Sequence, residues 1–147
     1  MLFGPASDPA SLEFLRPIRE LICQEGYAVV NDTDSEHRQE VCYSVGLTDK
    51  GLPELIAGME DFTEFPQGSP GMLHHLARML LARGGSYGEG DIFEFHGQWV
   101  RLVPETLYKA QCDVNLGLYG PKFSLLQVAP CSPNPTERKK VQPVCLN

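Results

Sequence analysis

A chain of 147 residues with 42% hydrophobic residues is long enough to bury one core, and its composition excludes disorder of the whole chain. Its formal net charge of −7 argues against unspecific nucleic-acid binding, because an acidic surface repels phosphate. No apolar run approaches the ~18 residues of a membrane span, so no membrane association is expected.

Five cysteines, an odd number without a C-x-x-C pair, point to reduced thiols and a cytoplasmic setting rather than a disulfide scaffold. The start, Met1 to Pro5, lacks the basic and apolar regions of a secretory leader. Nor does the Val144-Cys145-Leu146-Asn147 end form a prenylation box. The single basic run, Arg138-Lys139-Lys140, reads as a solvated tail.

Residues 1–10 read as an irregular lead-in, residues 11–129 as a single domain, and residues 130–147 as a Pro-rich tail. Leu12, Leu15, Ile18 and Ile22 recur at helical spacing, and Gly26 suits the position after the helix. Pro17 interrupts that pattern, so the helix is expected to begin near it. Tyr27–Val30 is a short strand, and a polar connector runs from Asn31 to Glu40. Val41, Tyr43, Val45 and Leu47 alternate with Cys42, Ser44 and Gly46, the period of a half-buried strand. Thr48-Asp49-Lys50-Gly51 is turn chemistry, and Glu54–Ala57 returns as the partner strand.

Ser69-Pro70 starts a second helix with Leu73, Leu76, Ala77 and Leu80 on its apolar face, ending at Gly84-Gly85. Ile92–Phe95 and the stretch from Trp99 to Val103 flank His96-Gly97, a two-residue hairpin loop. Pro104-Glu105 could open a short helix running to Cys112, and Ser124–Ala129 makes a last strand. The expected class is α+β: a mainly antiparallel sheet of about six strands with two main helices and a short third one packed on it.

The segment Tyr43-Ser44-Val45-Gly46-Leu47-Thr48, followed by Pro53-Glu54-Leu55-Ile56, resembles the uncharacterised family of bacterial and phage proteins catalogued as domain of unknown function 4262. Leu76–Gly90 corresponds loosely to the family's later helix and Gly-containing loop. Tyr119, Phe123 and Leu126-Gln127-Val128 resemble its closing strand. The likeness spans roughly Gly26 to Ala129. This chain has Leu52 where the family often carries His before P-E-L, and Cys131–Pro135 where the family often continues with an acidic, Pro-Trp-containing segment. The resemblance implies a fold and a bacterial or phage setting, and carries no activity with it.

The residues themselves contain no complete catalytic set. His74 and His75 are helix neighbours whose side chains diverge by about 100°, so they do not share a metal, and no H-E-x-x-H is present. His37 and His96 read as solvent positions. Ser44 lacks a nucleophile elbow, and Cys42, imaginable beside His74 or His75, reads as a small buried hydrophobe. The glycines of residues 84–90 follow a helix rather than precede one, and Glu89 and Asp91 repel phosphate. No metal and no cofactor is expected; a flavin- or nucleotide-binding barrel is suggested only by the hairpin strands.

Glu54, read as an ionised surface residue, is the best single candidate for a polar ligand contact. Tyr43, Ser44, Tyr87 and Gln127 are the other candidate ligand-binding residues, with Tyr43 and Trp99 as apolar walls. Glu60, Asp61 and Glu64 with Phe62 and Phe65 between them form a candidate protein-docking loop. The leading expectation is a binding or regulatory domain acting on a host protein or a small ligand. The alternative is an enzyme or ligand sensor with a pocket near Tyr43, Ser44 and Glu54.

Overall fold

Six strands form one open sheet in the order β1-β2-β3-β6-β5-β4. They are β1 Ala28–Asp32, β2 Val41–Val45, β3 Glu54–Gly58, β4 Ile92–Phe95, β5 Gln98–Pro104 and β6 Leu125–Pro130, with helices α1 Pro9–Glu25, α2 Gly68–Ala82 and α3 Asp113–Tyr119. The computed structural model describes residues 9–32, 40–82, 87–105, 112–132, 134 and 136. The protein is α+β, as its hairpin pattern predicts. Every pairing is antiparallel except β3 with β6.

The sheet is covered on both faces over its β1-β2-β3 half. On one side, Met72, Leu73, Leu76, Ala77 and Leu80 of α2 pack against Cys42, Leu55, Ala57, Phe93, Val100, Leu102 and Val128. On the other, Leu15 of α1 with Val114 and Leu116 of α3 pack against Val41, Tyr43, Val45, Ile56 and Leu125. All five residues of β2 and of β3 are therefore buried, so β2 is not the half-buried strand that its alternation suggests. Alternation there separates two cores rather than core from water. Burying a side chain such as Leu76 fully contributes about 1.5–3 kcal/mol.

Two expected boundaries move. Pro17 lies inside α1, which begins two turns earlier at Pro9. The proline removes one hydrogen bond, but Leu15, Ile18 and Ile22 on either side of it join the same core, and that packing holds the helix together across the gap. Pro104, expected to open a helix, instead ends β5, where its missing N–H costs no ladder bond beyond the strand end. The third helix is Asp113–Tyr119; residues 106–111 lie outside the described residues, as do Gly84-Gly85, His37 and the basic run.

The β4–β5 hairpin turns on His96 and Gly97, both at positive φ (51° and 83°), as a type I′ turn requires. Gly46 follows β2 at φ 113°, and a Cβ there would stand 3.0 Å from Gly26 O and 3.1 Å from Ile22 Cγ1. Glycine is thus required in Y-S-V-G-L both by conformation and by the close passage of the α1–β1 corner.

Candidate functional site

The β2–β3 strand pair surrounds a carboxylate, but not an accessible one. Glu54 has no exposed surface. Oε1 accepts from the Ser44 hydroxyl at 2.7 Å and from the Leu47 N–H at 3.3 Å. Oε2 accepts from the N–H groups of Gly46 at 3.2 Å and Thr48 at 2.8 Å, and from the Thr48 hydroxyl at 2.6 Å. The side chain expected at the surface is a clamp on the 3₁₀ turn Leu47–Lys50, filling the orphan donors at its start. Burial pushes its carboxyl above the usual carboxylate range, against the hydrogen bonds from Thr48, Ser44 and Leu47, which pull it down.

Of the candidate ligand residues, Ser44 and Glu54 are hydrogen-bonded to each other. Tyr87 reaches the same corner by donating to Pro53 O at 2.7 Å, and burial together with the nearby Glu54 raises its phenol. Tyr43 belongs to the opposite core, where its hydroxyl accepts the Val114 N–H at 3.2 Å. Gln127 is half-buried on β6 opposite Ile56. Glu54 and its donors satisfy one another, while Tyr43 packs in the core on one side of the sheet and Tyr87 against the core on the other.

Phe62 and Phe65 are buried at 5% and 9% exposure and join the α2 core, leaving Glu60 and Glu64 exposed without an aromatic surface between them. The acidic-aromatic loop is thus a core edge, since the apolar rings gain more from α2 than from water. Cys42 donates to Ala57 O at 3.8 Å, and burial pushes its thiol up to about 12, far from a thiolate nucleophile.

The structure instead assembles a cleft that no linear spacing reveals. Phe65, Pro66, Gln67, Gly71, His74, His75, Arg78 and His96 line an open cleft of about 430 Å³ between the start of α2 and the β4–β5 turn. The His75 ring stands edge-on to Phe95 with centroids 4.6 Å apart and lies 6.2 Å from His96. Phe65 packs against both imidazoles, at 6.0 and 6.4 Å. His74 lines the cleft as well, with the Tyr27 hydroxyl 3.0 Å from its Nδ1, while the His75 ring packs on Phe95, so the two neighbours have different partners as a helix demands.

The floor of the cleft is backbone. A Cβ at Gly71 would collide with Pro66 O. Two of its lining residues, Gln67 and His96, hold positive φ without being glycine. Such conformations are costly and persist where surrounding structure imposes them. Burial and the Arg78 charge lower the His74 imidazole. His75 is lowered by burial first, then by His96 and Arg78, and its Nε2 is covered and without a hydrogen-bond partner.

Among the described residues, no carboxylate lines the cleft. Among the described residues, no group of three or more His, Cys, Asp or Glu is placed to hold a metal ion. No helix among them is long and apolar enough to cross a membrane. No family model, curated protein or solved structure matches the chain.

Proposed function

We propose that this chain is a small binding or regulatory domain that takes a small ligand in the cleft between α2 and the β4–β5 turn. The observation that carries the reading is the convergence of His75, His96 and Arg78 around an opening of ligand size, with an aromatic wall at Phe65. Membership of the family that Y-S-V-G-L and P-E-L resemble, and a bacterial or phage cytoplasm as its setting, are part of the same proposal. The alternative, an enzyme or sensor acting around Tyr43, Ser44 and Glu54, has less behind it, since the Glu54 carboxylate has no surface to offer a substrate. A host-protein partner docking through Phe62 and Phe65 has less behind it for the same reason.

The test is an amide correlation spectrum of the full chain titrated separately with sulfate, acetate, glucose and methylammonium. At least one probe is expected to move the amides of Phe65, Gln67, Gly71, His75, Arg78 and His96 together. Shifts scattered over the surface with all four probes, or none at all, would remove the reading.

A further inference from the structure

Three of the chain's four histidines stand at one cleft together with Arg78. That is unexpected for a protein of net charge −7, in which a random lining would include carboxylates. Glu94 of β4 is exposed and, like the acids of the loop before α2, is not among the lining residues. Glu64 is exposed beside Phe65 but is not among the lining residues, and the Asp61 charge bears on Cys42 instead. From α2 the cleft receives His74, His75 and Arg78, from the β4–β5 turn His96, and from the preceding loop the neutral Gln67.

We infer that the cleft takes a small oxyanion, a phosphate or carboxylate group, held by the Arg78 guanidinium and the His96 ring with His75 behind them. The inference rests on the proposed ligand cleft and names the chemistry it recognises. The guanidinium N–H groups of Arg78 are donors only and each imidazole ring offers an N–H donor as well, so an oxyanion supplies acceptors to both. The His75 Nε2, covered and unpartnered, is the kind of atom that an occupant or its attendant ring movement satisfies. A cation is disfavoured by the same lining: Arg78 repels it, and the described residues place no third ligand beside the two imidazoles.

Protonation follows from this arrangement. His96 and Arg78 disfavour a charge on His75 in the free protein, and an anion between them reverses that repulsion. Binding therefore takes up protons, and affinity rises as pH falls through the imidazole range. Sulfate is the suitable probe because it keeps its charge throughout.

The experiment follows the His75 and His96 ring protons of the full chain during titration with sulfate and with acetate, at about pH 5.5 and about pH 7.5. Both anions are expected to shift the two rings, with sulfate binding tighter at the lower pH by about tenfold. Arg78→Gln, at an exposed position, is expected to weaken sulfate by about tenfold. His96→Asn, which tolerates the positive φ of the turn, is expected to weaken sulfate binding because a donor at the mouth of the cleft is displaced. If glucose or methylammonium occupies the cleft and the anions do not, the oxyanion inference is overturned while the ligand cleft stands. If anions bind there with equal affinity at both pH values, proton-coupled capture is overturned. If no probe reaches the cleft, the proposed function falls with the inference.

Discussion

Ser44 and Glu54 are joined by a 2.7 Å hydrogen bond from the hydroxyl to Oε1, and the same hydroxyl accepts the Leu55 N–H at 2.8 Å. The pair thus ties β2 to β3 at the point where the backbone ladder gives way to the turn. Glu54 continues β3 into β6 as well, since its N–H donates to Ser124 O at 2.8 Å. One residue therefore holds three segments, and its loss would be felt as stability.

Replacing Glu54 by Ala leaves the hydroxyls of Ser44 and Thr48 and three turn N–H groups without their acceptor. Each buried donor left unmet costs about 1–3 kcal/mol, so Glu54→Ala is expected to lose about 3 kcal/mol or more. Glu54→Gln keeps one acceptor oxygen but points an amide N–H₂ at other donors, and should lose less than Ala while remaining below wild type. Urea unfolding of the three proteins gives the order directly, and an alanine variant as stable as wild type contradicts the clamp.

The same residue sets a pH dependence. Its folded-state pKa lies above the ordinary value of 4.5, because burial penalises the charged form. Between the two values the folded chain holds a proton that the unfolded chain has released. The stabilisation is complete below the ordinary value and is lost as pH rises through the raised one. Wild type minus Glu54→Gln stability should accordingly decline with rising pH above about 4.5. A difference that grows with pH would mean that the five donors hold the carboxylate ionised.

Gly71→Ala should destabilise by about 2–3 kcal/mol, because overpacked backbone cannot yield as a flexible side chain does. The new Cβ would collide with Pro66 O and stand 2.9 Å from Gln67 Cβ. Gly68→Ala serves as the control: its φ is 66° but its nearest neighbours are 4.0 Å away, so only the conformational cost of about 1–2 kcal/mol applies. Thermal melts of both variants separate steric from conformational cost, and equal losses would contradict the close approach.

Thiol labelling should divide the cysteines by depth. Cys23 is exposed, whereas Cys42 and Cys112 are buried. A short iodoacetamide pulse at neutral pH, read by peptide mass spectrometry, is expected to mark Cys23 and to spare Cys42 and Cys112 until denaturant is added. Rapid native labelling of Cys42 would contradict a thiol pushed up to about 12 inside the α2 core.

Much of the fold was legible in the sequence because its signals are local. The His96-Gly97 pair forces a tight hairpin, and period-2 alternation from Val41 to Val45 marks a strand wherever it sits. Gly46 and Gly51 bracket the turn, so the β2–β3 pairing of Tyr43 with Ile56 follows from chain connectivity. Even the divergence of His74 and His75 follows from helix geometry alone. The Glu54 position was singled out for the right neighbourhood but for an exposed role, since a carboxylate after Pro53 carries no mark of what covers it.

The sequence by itself determined the α+β class, the hairpins and the neighbours that local spacing brings together. Tertiary structure alone decided that β6 enters the sheet between β3 and β5, and that α2 on one face and α1 with α3 on the other turn the half-buried β2 into a doubly buried strand. It alone closed Glu54 under Ser44 and Thr48, and it alone brought His96 within 6.2 Å of His75 across 21 positions of sequence. The reason is physical. Periodicity and turn chemistry report the conformational preferences of a few consecutive residues, whereas burial and hydrogen-bond partners come from segments far apart, which meet only when the core has formed.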